Sequence, residues 1–160
     1  MEEVIYVNTG EVKVAAGKAI LRAIAIGSCI VVAALDPKKK VGAMAHVMLP
    51  GRAPRRFLEK TKYAFDAIEK MLGRMLEAGS NPDDIEVCLV GAGNVLEKEN
   101  DTICDANIES VTGILKEKNI PVRASVLGGT ERKGVVLDTE AGSISYTEGD
   151  EKEKTLWLAL

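Results

Sequence analysis

A chain of 160 residues with 46% hydrophobic and 28% charged residues has the composition of a globular protein and the length of one domain, residues 1–160. Its net charge of −3 gives no general attraction to nucleic acid or to anionic lipid, so neither is expected as a partner. Three cysteines without a Cys-x-x-Cys pair, and a single histidine, leave a zinc site short of ligands, and no metal is expected.

The first half of the chain reads as strands. Residues 4–7, 11–15 and 19–26 show short apolar runs or alternation, divided by Asn8-Thr9-Gly10 and Gly17-Lys18. Residues 30–35 and 41–49 follow as a hairpin across the turn at 36–40, where Lys38-Lys39-Lys40 is a solvated cluster. The N-terminus has no basic segment followed by a long apolar one, and the apolar stretch 23–35 is broken by Gly27-Ser28 and too short to span a bilayer. These features predict a cytoplasmic protein, without membrane insertion, whose thiols stay free.

From Leu58 the period changes. Leu58, Tyr63, Phe65, Ile68, Leu72, Met75 and Leu76 recur at three- and four-residue spacing, which predicts an amphipathic helix ending before Gly79; the arginines between Arg52 and Arg56 precede it in a surface loop. Residues 85–90 form a short apolar strand ending in Gly91-Ala92-Gly93. A second helix is expected from Asp105, as N-cap, through Ile108, Val111 and Leu115 to about Lys118, with Asn119 near its end. Strands return at 122–127, 135–137 and 143–146, and the last ten residues, with Leu156-Trp157-Leu158, either dock on the core or bind a partner. Strands at both ends and two helices between them predict a mixed α/β (α+β) domain in which helices cover a sheet.

Nucleophilic chemistry narrows to one cysteine. Cys88 lies in the apolar run 85–90 and reads as a strand filler, while Asp101 and Asp105 beside Cys104 oppose a thiolate there. Cys29 follows Gly27-Ser28 between two apolar segments, a break where the chain can turn and where its N–H can serve an oxyanion. His46 sits in an otherwise apolar strand. Counted outward from the turn, Leu35 falls near Val41 and Cys29 near Val47, so thiol and imidazole meet at the open end of the hairpin. A Cys–His pair of this kind performs acyl transfer.

Ala23-Ile24-Ala25-Ile26-Gly27-Ser28-Cys29 and Gly42-Ala43-Met44-Ala45-His46-Val47-Met48-Leu49-Pro50, spaced by Asp36-Pro37, resemble the two signature segments of the chemoreceptor glutamine deamidase family, CheD. Tyr63-Ala64, Gly91-Ala92-Gly93, Asn107, Gly128-Gly129 and Gly142 fall where that family carries similar residues. The resemblance implies a three-layer α/β/β sandwich related to the toxin deamidases. It also implies hydrolysis of glutamine side-chain amides in methyl-accepting chemotaxis receptors to glutamate and ammonia, without a cofactor, and binding by the phosphatase CheC. On it, Cys29 is the nucleophile and His46 the general base and acid. The family usually places a threonine, the third catalytic residue, where this chain has Ala23; its acidic residue before the late Gly-Gly is replaced by Val126-Leu127, and its arginine by Lys133. The alternative implied by Ala23 is a weakly active or non-catalytic chemotaxis adaptor that keeps the CheC-binding surface.

Overall fold

Ten strands and two main helices form within residues 3–159, the span that the computed structural model describes. One sheet holds β1 (Glu3–Tyr6), β3 (Ala19–Ile26), β8 (Lys133–Asp138), β9 (Ser143–Glu148) and β10 (Lys154–Leu158), side by side in that order. The other holds β2 (Val12–Ala16), β5 (Val41–Val47), β4 (Ile30–Asp36), β6 (Glu86–Gly91) and β7 (Val122–Leu127). The helices α1 (Ala64–Glu77) and α2 (Ile103–Glu117) lie on the second sheet and not between the sheets. No helix among the described residues is long and apolar enough to cross a membrane.

The layering follows from the side-chain alternation of the central strands. Along β4, Ile30, Val32 and Ala34 join the core under the helices, while Val31, Ala33 and Leu35 join the core between the sheets. Along β5, Val41, Ala43, Ala45 and Val47 face the helices and Met44 faces the other sheet. With both faces covered, β4 and β5 are buried throughout, and each fully buried Ile, Leu or Met contributes about 1.5–3 kcal/mol. Gly42 is required by this closeness: a Cβ there would stand 2.5 Å from Leu137 and 2.7 Å from Thr139 of the facing sheet. The arrangement is the mixed α/β domain expected from the pattern of elements and the three-layer α/β/β sandwich that the resemblance implies.

Several boundaries differ, each for a physical reason. The first helix begins at Ala64 rather than near Leu58, because Ala64 and Phe65 donate their N–H groups to the carbonyls of Leu49 and Gly51, both at 2.9 Å. Leu58 is 98% exposed, and the buried stripe is instead Ala64, Ala67, Ile68, Met71 and Met75. The second helix starts at Ile103, where Asp101 rather than Asp105 accepts the N–H of Cys104 at 3.4 Å. The hairpin register is shifted by one residue from the expected one: Leu35 lies opposite Gly42 and Ile30 opposite Val47. Asp36 extends the strand to pair with Val41, and Lys40 adopts a left-handed φ of 55° to close the shorter turn. The C-terminal segment docks as edge strand β10, with Trp157 Nε1 donating to Glu86 Oε2 at 3.1 Å.

Candidate active site

Cys29 lies in the bend between β3 and β4, and His46 is the last residue but one of β5. Val31, two residues beyond Cys29, pairs directly with His46. Side chains at 29 and 31 point to the same face of an extended chain, so the thiol lies diagonally across from the imidazole, an arrangement in which Cβ atoms stand about 7 Å apart. Both residues border the core between the sheets: Cys29 packs against it half-buried, and His46 is 4% exposed. The one-residue shift in register therefore keeps them neighbours. The thiol makes no hydrogen bond to the ring in this conformation; the ring's partner is the Val7 carbonyl.

The ring is held from the opposite sheet. Nδ1 lies 3.0 Å from the carbonyl oxygen of Val7, just past β1. A carbonyl only accepts, so Nδ1 carries the hydrogen and Nε2 keeps the lone pair that a general base needs. Val7 is itself fixed, its N–H donating to the Arg22 carbonyl at 2.8 Å. The backbone of His46 is gripped by the same segment: its N–H donates to Glu11, at 3.0 Å, and its carbonyl accepts from Gly10, at 2.8 Å. Burial lowers the His46 pKa below 6.5, against the opposing pull of the Val7 carbonyl and Glu11, and favours a neutral ring.

The cysteine loop is fastened from behind. The Cys29 carbonyl accepts from Ala92 at 2.7 Å and the Gly27 carbonyl from Gly93 at 2.9 Å. Gly91, with φ +137°, is needed for this approach, because a Cβ there would stand 2.2 Å from the Cys29 oxygen. Asn107 of α2, fully buried, donates from one amide nitrogen to the carbonyls of Ser28 (3.0 Å) and Met48 (3.2 Å). It thus ties the cysteine loop to the chain leaving the histidine strand. The N–H of Cys29 donates to no backbone carbonyl among the described residues. A cleft lined by Gly27, Ser28, Asn94, Leu96, Lys98 and Arg132 opens beside this loop.

Burial pushes the Cys29 thiol above 9.0, opposed by the Thr9 hydroxyl and its own N–H. Thiol and imidazole are thus both neutral at rest. The other two cysteines are less suited to attack. Cys88 is fully buried in β6 and pushed up to about 12 by desolvation. Cys104, in the first turn of α2, is also pushed up to about 12, by burial first and then by Asp101 and Asp105. Ala23 packs in the core between the sheets opposite Val135, and Lys133 donates to the carbonyls of Gly128 and Glu131, holding the Gly128-Gly129 bend. The Val7 carbonyl is not identified by sequence reasoning, because it is backbone and carries no side-chain signal.

The family model described as CheD chemotactic sensory transduction matches residues 48–148. A probable chemoreceptor glutamine deamidase CheD of Chlorobium luteolum is 38% identical, over 96% of this chain and 77% of its own length. The chain belongs to the CheD family. A second probable CheD deamidase, from Archaeoglobus fulgidus, is 35% identical over 96% of this chain and 98% of its own. The chemoreceptor glutamine deamidase CheD of Thermotoga maritima is 31% identical over 86% and 87%. The family-model match begins just past His46, whereas the first two CheD relatives match across 96% of the chain, which takes in both candidate residues.

Proposed function

We propose that this protein is a chemoreceptor glutamine deamidase in which Cys29 is the nucleophile and His46 the general base and acid, within a single domain spanning residues 1–160. The observation that carries the chemistry is the hydrogen bond from His46 Nδ1–H to Val7, which leaves Nε2 as acceptor beside the Cys29 loop. Similarity to proteins named as chemoreceptor glutamine deamidases supplies the substrate.

In the mechanism, Nε2 takes the thiol proton as sulfur attacks the carboxamide carbon of a receptor glutamine, and the Cys29 N–H stabilises the developing oxyanion. Collapse of the tetrahedral intermediate breaks the C–N bond, and the imidazolium returns its proton to the departing ammonia. Nε2 then deprotonates a water that attacks the thioester, giving glutamate and the free thiol. Every step uses groups of this chain, and no cofactor enters. Because the resting pair is neutral, His46 acts as a base during attack rather than as one half of a preformed ion pair.

The receptor is the protein substrate, the compartment is the cytoplasm, and a CheC-type phosphatase is the proposed regulatory partner, a reading that rests on the family resemblance. Ala23 favours a second reading, a non-catalytic adaptor, because the side chain at that position carries no hydroxyl. Ammonia and methanol assayed together on one receptor fragment test the proposal. Ammonia alone supports a deamidase, methanol alone indicates an esterase, and neither product supports the adaptor.

A further inference from the structure

Lys133, the first residue of β8, is 2% exposed, and its side chain ends among backbone oxygens rather than in solvent. Nζ donates to the Gly128 and Glu131 carbonyls, the second at 3.2 Å, and stands 3.6 Å from Glu148 Oε2. A buried cation is costly unless paired and hydrogen-bonded, so these three partners specify where it sits. Gly128 and Gly129 have φ of 88° and 70°, a bend of two glycines with little stiffness of its own. That bend backs the cysteine loop. The Gly128 N–H donates to the Gly91 carbonyl at 3.0 Å, and the Gly129 carbonyl accepts from Asn94 at 2.9 Å. Between those two bonds lie Ala92 and Gly93, whose N–H groups hold the Cys29 and Gly27 carbonyls. Gly93 packs directly on the lysine: a Cβ there would stand 2.8 Å from the Glu131 oxygen and 3.2 Å from Nζ. The backbone of Lys133 lies opposite Ile26, the last residue of β3 before the bend that carries Cys29.

We propose that Lys133 is a positioning residue for Cys29, pinning the Gly128-Gly129 bend so that Ala92 and Gly93 hold the nucleophile loop in place. The inference rests on the deamidase reading and deepens it. Lys133 hydrogen-bonds neither the thiol nor the imidazole and acts through backbone. Nζ fixes the bend, the bend fixes residues 91–94, and these fix the carbonyls of Gly27 and Cys29. A long side chain carrying several donors is suited to this task, because it reaches two carbonyls at once; an apolar side chain of the same length leaves both unpaired in a buried place. The loop it braces sets both the sulfur and the Cys29 N–H that serves the oxyanion. A small displacement there lowers the rate more than the affinity, since the attack geometry is met only in the transition state.

The test compares the full chain with Lys133→Met, which keeps the length and removes the donors, and with Lys133→Arg, which restores a cation with several donors. Ammonia release from a receptor fragment gives kcat and KM, and hydrogen exchange followed by NMR gives the protection of single amides. Lys133→Met is expected to lower kcat about tenfold with KM little changed, and to speed exchange at Ala92 and Gly93 about tenfold more than at Met71 and Leu115 in the helices. Lys133→Arg is expected to recover most of both. Lys133→Gln, which keeps a donor on a shorter stem, is expected to fall between the two and supplies the same readouts where Lys133→Met does not fold. An unchanged kcat in a folded variant without the lysine overturns the inference. So does an acceleration of exchange no greater at Ala92 and Gly93 than in the helices, which marks a purely structural role. Absence of ammonia release in wild type would instead defeat the deamidase reading, while exchange at Ala92 and Gly93 still decides whether Lys133 holds the loop.

Discussion

His46 and Val7 are joined across the two sheets: the imidazole Nδ1 of β5 lies 3.0 Å from a carbonyl that follows β1 of the opposite sheet. The hydrogen bond fixes tautomer and ring orientation without a side-chain partner. A backbone carbonyl cannot titrate or rotate away, so the base keeps its geometry as pH changes.

The pH dependence of stability follows from that buried ring. Its pKa is lowered below 6.5 in the folded state, so the unfolded chain binds the proton first as pH falls. Stability is therefore lost from 6.5 downward and levels off once the folded ring is protonated too. Urea unfolding at about pH 7.5 and about pH 5.5 should show this loss in wild type and a smaller one in His46→Gln, with carboxylates common to both. Because the Cys29 thiol is raised above 9.0, its alkylation should climb through the alkaline range without a thiolate plateau near neutrality.

Replacing Gly91 by alanine should displace the nucleophile. Its Cβ would fall 2.2 Å from the Cys29 oxygen and 2.9 Å from Ile26 Cγ2, and backbone cannot swing aside as a side chain can. The expected cost is about 1–3 kcal/mol in urea unfolding, with at least a roughly tenfold fall in ammonia release. Wild-type turnover in this variant would show that the cysteine loop tolerates movement.

Asn107 should matter through the carbonyls that it serves. Asn107→Ala leaves the Ser28 and Met48 oxygens without that donor, at an expected cost of about 1–3 kcal/mol. Asn107→Asp should be worse, since a carboxylate donates nothing and repels both carbonyls. Thermal or urea unfolding of the two variants orders them.

The sequence makes much of this visible where local chemistry decides. Residues 19–26 and 122–127 form strands with the bounds expected, because Gly17-Lys18, Gly27-Ser28, Pro121 and Gly128-Gly129 punctuate them. Cys29 and His46 stand out by contrast with their neighbours: a thiol after a glycine-serine break, and a lone imidazole in an apolar strand. What is not legible depends on distant backbone. The start of α1 is set by the carbonyls of Leu49 and Gly51, and helical periodicity cannot register a donor's partner. The orienting group of His46 is likewise a carbonyl, which any residue at position 7 would supply.

Ala23→Thr should not rescue an inactive protein on this account. The methyl of Ala23 is 1% exposed within the core between the sheets, so two added heavy atoms should cost about 1–3 kcal/mol in unfolding experiments. Ammonia release should change little or fall, because His46 already has its orienting partner. A large rise from a near-zero rate would favour the adaptor reading.

The most direct test of the central claim is ammonia release from a receptor fragment by wild type and by Cys29→Ala, with the modified glutamine located by mass spectrometry. The account predicts conversion of glutamine to glutamate by wild type and none above background by the variant. Equal release by both proteins would contradict the assignment of Cys29 as the nucleophile.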